Sequence, residues 1–204
     1  MNRILVVGED ELCRALGERL VDACLPDWQL AGPSIDTRGV TRLVPALARY
    51  ARLAKDRHPV LCIADTDRQC AVTLRDRWLP EWAEPRLLLR LAVSEAESWV
   101  LADREGAAEA LGVPLVRLPQ KPDDEPDPKR LVLTLAARSK KTPIKAEVVS
   151  AFDRSKRGTG YNLHLAAFVR SGWDVRRAEA ASPSLARAVK RVSALGSGVG
   201  AGVG

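Results

Sequence analysis

The chain has 204 residues, 46% of them hydrophobic and 28% charged, with 32 Lys and Arg against 26 Asp and Glu for a net charge of +6. That length holds one sizeable core with a small appended part. No stretch approaches the roughly 20 apolar residues of a membrane-spanning helix, so no such segment is expected, and the positive excess favours polyanionic partners.

"RILVVG" (3 to 8) reads as a buried strand that opens directly after Met-Asn, without the long apolar core of a signal peptide, so a cytoplasmic protein is expected. "DELCRALGERLVDACL" (10 to 25) then places Leu12, Leu16 and Leu20 on one helical stripe. "WQLAG" (28 to 32) is a short second strand, and 39 to 55 is a second amphipathic helix, in which Pro45 is tolerable near the first turn or at a kink. "PVLCIAD" (59 to 65) is the third strand and "RLLLRLAV" (86 to 93) the fourth, with a helix over 71 to 78 between them. One or two helices follow over 94 to 112, closed by Gly112. Strands alternating with helices at this spacing predict an α/β fold, a mostly parallel sheet flanked by helices.

After Gly112 the sheet is expected to have ended. "LPQKPDDEPDPK" (118 to 129) is a Pro- and Asp-rich loop, 129 to 137 and 161 to 171 are helices, and "SPSLARAVKRV" (182 to 192) is a terminal helix with Ser182 as its cap. The division expected is an α/β domain over 1 to 118, a helical extension over 119 to 195, and a disordered glycine-rich tail over 196 to 204. Within the extension, residues 138 to 157 carry seven basic side chains against Glu147 and Asp153. Lys140, Lys141 and Lys145 of this segment, with Lys129 ahead of it, are candidates for contacts to nucleic-acid phosphates. Cys13, Cys24, Cys62 and Cys70 form no CxxC pair and read as free, mostly buried thiols. His58 and His164 are isolated, and Trp78, Trp82 and Trp173 are candidates for a docking face.

In an open parallel sheet, ligands bind beyond the carboxyl ends of the strands. Three predicted strands deliver acids there: Glu9, Asp10 and Glu11 after the first, Asp65 and Asp67 at the third, and Glu95 and Glu97 after the fourth. Asp65 and Asp67 share a side if strand geometry persists through them. Carboxylates brought together repel unless a cation sits among them. Oxygen-only ligands select Mg²⁺ or Mn²⁺, which makes phosphodiester hydrolysis the matching reaction.

"VVGEDELCRAL", "IADTD" and "SEAESWVLAD" resemble the strand ends of the TOPRIM-type domain. They are similar above all to small TOPRIM-like proteins of bacterial defence loci, often encoded beside an ABC-type or AAA-type ATPase. The run Glu97 to Asp103 carries most of the likeness, with "DPKRL" (127 to 131) and "SPSL" (182 to 185) as weaker matches. The resemblance implies a Mg²⁺-dependent nuclease acting with an ATPase partner in anti-phage defence. In it a glutamate after the first strand, here Glu9, and Asp65 and Asp67 hold the metal; with the acids read above, Glu9, Glu11, Asp65, Asp67 and Glu97 are the candidate catalytic residues, and Tyr161 and Asn162 are weaker candidates that the resemblance does not supply. One departure stands out: Val7 occupies the place of the usual glutamate, which leaves Glu9 to replace it.

Two other readings fit the same residues. A receiver-like domain would use Asp65 as phosphoacceptor with Ser94 and Lys121 as partners, and a non-catalytic subunit would use the basic segment to dock on DNA or an ATPase.

Overall fold

The structure is a computed structural model that describes residues 2–197. Five strands form one sheet: β1 (Arg3–Gly8), β2 (Gln29–Leu30), β3 (Ile35–Asp36), β4 (Val60–Asp65) and β5 (Leu87–Ala92). Every pairing is parallel, in the order β2-β1-β4-β5, and β3 joins β1 beside Val7 and Gly8 on the side away from β4. The α/β class and its mostly parallel sheet are thus as expected. "WQLAG" contributes only two strand residues, and the two-residue β3 carries too short a pattern to be read in sequence.

The strands are apolar on both sides because both sides are covered. Ile4, Val6, Leu61, Ile63 and Leu88 face one core, while Leu5, Val7, Val60, Cys62 and Leu89 face a second, into which α2 (Val40–Asp56) sends Leu43, Leu47 and Tyr50. Pro45 lies in the second turn of α2, where it leaves the Thr41 carbonyl without its helical donor, yet the helix continues on the strength of that buried face.

α1 (Glu11–Cys24) packs on β1 and β4, and Asp10 caps it by accepting from the Cys13 N–H at 2.9 Å. The turn between β1 and α1 is tight: a Cβ at Gly8 would stand 2.3 Å from Arg14 N and 2.6 Å from Asp10 O. From β1 the chain moves to β2 and β3 on one side and returns to β4 on the other, so the β1–β4 seam is the switch point at which α/β sheets bind ligands.

After α3 (Ala71–Trp78) and β5 come α4 (Ala96–Ala102) and α5 (Arg104–Leu111), the latter ended by Gly112 at φ 64°. The extension holds α6 (Pro128–Ala137), a π-helical turn (Ile144–Val148), α7 (Tyr161–Ser171), α8 (Val175–Ala181) and α9 (Pro183–Gly196). It shares the larger core with the sheet. Trp99 of α4 donates to Ser184 Oγ at 2.7 Å, and Trp173 donates to the Trp99 carbonyl at 3.1 Å. Trp173 is therefore fully buried and no docking surface, whereas Trp82 is 50% exposed. Ser182 caps α9 as expected, but the helix runs on through Gly196. Of the glycine-rich tail, 198–204 lies outside the described residues. Among the described residues no helix is long and apolar enough to cross a membrane.

Candidate functional site

Acids from two strand ends meet at the carboxyl edge of the sheet, and Glu97 after the last strand lies deeper, close enough for its charge to act on Asp65. Glu9, just past β1, reaches across the β1–β4 seam so that its Oε2 accepts from the Asp65 N–H at 3.1 Å. Asp65, the last residue of β4, accepts from the Ala96 N–H at 2.7 Å through Oδ1, and the buried Cys13 thiol lies 3.8 Å from the same oxygen. Burial, and then the charges of Glu97, Glu9 and Asp10, push the Asp65 carboxyl up to about 8. Burial also raises Glu9, helped by the charges of Asp67 and Asp10 and opposed by the bond from Asp65 N–H. The Cys13 thiol is raised well above its ordinary range by burial and then by Asp65, so it stays a neutral SH.

The third group is deeper. Glu97, in the first turn of α4, is 3% exposed and accepts from the Tyr161 hydroxyl at 2.8 Å. Burial raises its carboxyl, and the Lys129 ammonium opposes that rise. Lys129 is tied to Glu95, its Nζ donating at 2.9 Å and its N–H at 2.9 Å. Burial works against the Lys129 charge, but Glu97, Glu95 and Asp65 outweigh it and hold the ammonium above the usual lysine range.

Two expected members fall elsewhere. Glu11 turns to the other flank of α1, where it pairs with Arg170 at 2.9 Å and with Arg14, so it does not join Glu9 and Asp65. Asp67 does not continue the strand: β4 stops at Asp65, and Asp67 and Arg68 both adopt left-handed φ, 47° and 65°. The turn is fixed by Thr66 N–H and Asp67 N–H donating to the Ser94 carbonyl at 3.1 and 3.0 Å. Asp67 is left exposed beside Glu9 rather than aligned with Asp65. Val7 is wholly buried in the core, and Glu9 is the acid that reaches the seam from β1.

Beside the acids opens a cleft of about 650 Å³ lined by Lys129, Arg130, Lys156 and Arg157, with Glu95 and Asp127 on its wall. Arg68 reaches its rim, 3.7 Å from Asp127. The Arg157 guanidinium stands 5.6 Å from the ring centroid of Tyr161, the residue that bonds Glu97, so the cleft wall is linked to Glu97 through the buried Tyr161. The turn that supplies Lys156 and Arg157 is closed by a Val149–Arg157 bridge and by Ser150 N–H donating to the Lys156 carbonyl at 3.0 Å. At its tip Phe152 is wholly exposed.

Of the four lysines singled out in sequence, Lys129 lines this cleft. Lys140, Lys141 and Lys145 are exposed outside it, the first two beside Gly112 and the third on the π-helical turn. Arg130, Lys156 and Arg157 take their place; the charge of the 138–157 segment pointed to the last two, and nothing in sequence singled out Arg130. Asn162 Oδ1 is buried without a partner, and Lys121 is exposed in the loop before α6, so the lysine whose charge meets Asp65 is Lys129.

By its chemistry the donor set suits a hard divalent cation: Glu9, Asp65 and Asp67 offer oxygen alone, and the one nearby sulfur is protonated. Among the described residues no three His, Cys, Asp or Glu side chains are already arranged to hold a metal. Comparison of the chain with protein-family models, with curated proteins and with solved structures gives no match.

Proposed function

We propose that the protein is a divalent-cation-dependent enzyme that hydrolyses phosphodiester bonds in nucleic acid. The observation that carries this is the junction of two opposite fields: Glu9, Asp65 and Glu97 from three strand ends, against a cleft lined by Lys129, Arg130, Lys156 and Arg157. In this reading Glu9 and Asp65, with Asp67 turning in from the exposed loop, would hold Mg²⁺ or Mn²⁺, and the ion would supply polarisation of a phosphate oxygen and a more acidic bound water. Glu97 is a positioning residue, since it is closed off from solvent and acts through Lys129 and Tyr161. The cleft side chains bind the strand through its phosphates, and Phe152 offers a face for a base to stack on. An ATPase partner and a role in anti-phage defence belong to the same reading and rest on the resemblance of the Glu97–Asp103 run.

The test is cleavage of end-labelled single- and double-stranded DNA and RNA with Mg²⁺, with Mn²⁺ and with chelator, in parallel with calorimetric titration of Mn²⁺. Metal-dependent cleavage lost in Asp65→Asn and Glu9→Gln, together with lost Mn²⁺ binding, is expected. Cleavage unaffected by Asp65→Asn would assign any activity to a contaminant. Stable labelling of Asp65 by a small phosphodonor would favour the receiver-like reading instead.

A further inference from the structure

A second charged site lies at the open edge of the sheet, on β5, and it does not depend on the nuclease reading. Arg90 is a charged residue in the middle of edge strand β5, between Leu88 and Ala92 in the alternation. α9 covers this edge from one side and the start of α3 flanks it from another. Arg75 from α3, Arg90 from β5 and Arg187 from α9 line one pocket of about 190 Å³, walled by Val72, Leu89 and Leu91. Arg191, one helical turn beyond Arg187, adds its charge.

Among the described residues, three of the four arginines lack a counter-charge. Arg75 pairs with its sequence neighbour Asp76 at 2.7 Å; Arg191 donates to the Pro85 carbonyl at 3.2 Å and Arg90 Nε to the Leu89 carbonyl at 2.6 Å. Among the described residues no carboxylate pairs with Arg90, Arg187 or Arg191. Burial, and then the charges of Arg191, Arg75 and Arg187, lower the Arg90 guanidinium to about 10. A partly desolvated cation among three like charges raises the energy of the free protein, and an apolar residue would fill the same strand position at no such cost.

We propose that this pocket binds a phosphate group, free or as part of a larger molecule. Guanidinium forks match phosphate oxygens two at a time, and a phosphate bearing close to two negative charges answers several arginines, as a single carboxylate does not. The pocket is small and walled by aliphatic side chains, which fits one phosphate or a diphosphate with its attachment leaving through the open side.

Inorganic pyrophosphate, titrated calorimetrically into the full chain, is the probe. Binding that weakens at least tenfold in Arg90→Gln and in the exposed variant Arg187→Ala, and is unchanged in Lys156→Ala with Arg157→Ala, is the expected result. Arg90→Gln is also expected to raise the ligand-free Tm by about 2–4 °C, the shift of a ~1 kcal/mol gain in a chain of this size. A short oligonucleotide separates the sources: if the natural phosphate belongs to a strand, Arg90→Gln and Arg187→Ala weaken its binding too, and if it belongs to a free compound they do not. Failure of the wild-type chain to bind pyrophosphate, or loss of binding in the Lys156 and Arg157 variant with retention in both arginine variants, overturns the proposal. Loss of nuclease activity in Asp65→Asn bears on the catalytic reading alone and leaves this one standing.

Discussion

Asp103 and Asp65 are both carboxylates shut largely away from water, and their surroundings are opposites. Asp103 is wholly buried, yet it receives Arg177 Nε at 2.7 Å and Nη2 at 3.0 Å, Gly106 N–H at 3.2 Å and Asp174 N–H at 2.8 Å. Asp65 has the Ala96 N–H as its one strong donor, with the weak Cys13 S–H at 3.8 Å, and stands among Glu97, Glu9 and Asp10. A buried charge is tolerated when its lone pairs are filled and becomes a source of instability when they are not. Asp103 therefore staples α5 to α8, whereas Asp65 is held in a setting that only a proton or a cation relieves.

Breaking the staple gives the largest effect. Arg177→Ala leaves the fully buried Asp103 carboxylate with two backbone donors and no cation, and is expected to cost about 1.5–3 kcal/mol in denaturant unfolding, with little change in Mn²⁺ affinity. The corresponding change at the other carboxylate has the opposite sign. Asp65 takes up its proton near pH 8 when folded and near its ordinary value of 3.8 when unfolded. Between those values the folded state holds more protons, so stability falls as pH rises, by about 1.4 kcal/mol per pH unit at the steepest. Unfolding of the metal-free protein followed from pH 4 to pH 9 is expected to show that slope, and Asp65→Asn to flatten it and to be more stable than wild type at pH 8. A slope equally steep in Asp65→Asn would move the source to another group.

The same contrast explains what was legible in the sequence. The parallel sheet and its strand ends followed from apolar runs such as Arg3–Gly8 and Val60–Asp65, whose periodicity is a local property of the chain. Glu9, Asp65 and Glu97 were locatable because the carboxyl edge of such a sheet is fixed by topology. Their partners were not. Glu11 is drawn away by Arg170, which stands 159 positions further along, and Lys129 meets Glu95 only because α6 folds back over α4. Asp67 was misplaced by assuming that the strand continues, when two left-handed residues turn the chain at once. The Glu97–Asp103 run looked like one motif, yet its first acid serves the crevice and its last the staple.

The weaker effects belong to the outer wall of the cleft and to the turn beside it, where Lys156 and Phe152 are exposed. Phe152→Ala removes no packing, so stability is expected to stay within about 0.5 kcal/mol. Binding of a single-stranded oligonucleotide is expected to weaken by about 1–3 kcal/mol, the worth of one stacked base, as read by fluorescence anisotropy. Duplex binding should change far less, and an equal loss for both forms would rule out stacking.

The smallest expected effect is also the one that compares the lysines chosen from sequence with the residues that replaced them. Lys156→Ala with Arg157→Ala takes two cations from the cleft wall, whereas Lys140→Ala with Lys141→Ala takes two from a surface beside Gly112. Each phosphate contact contributes about 0.7–0.9 to the slope of log affinity against log salt. The cleft pair is therefore expected to flatten that slope by about 1.5, and the pair beside Gly112 to leave it nearly unchanged. The reverse order would mean that the strand runs over the α5 end of the molecule, and that the cleft beside Asp65 is a wall of ion pairs with no strand in it.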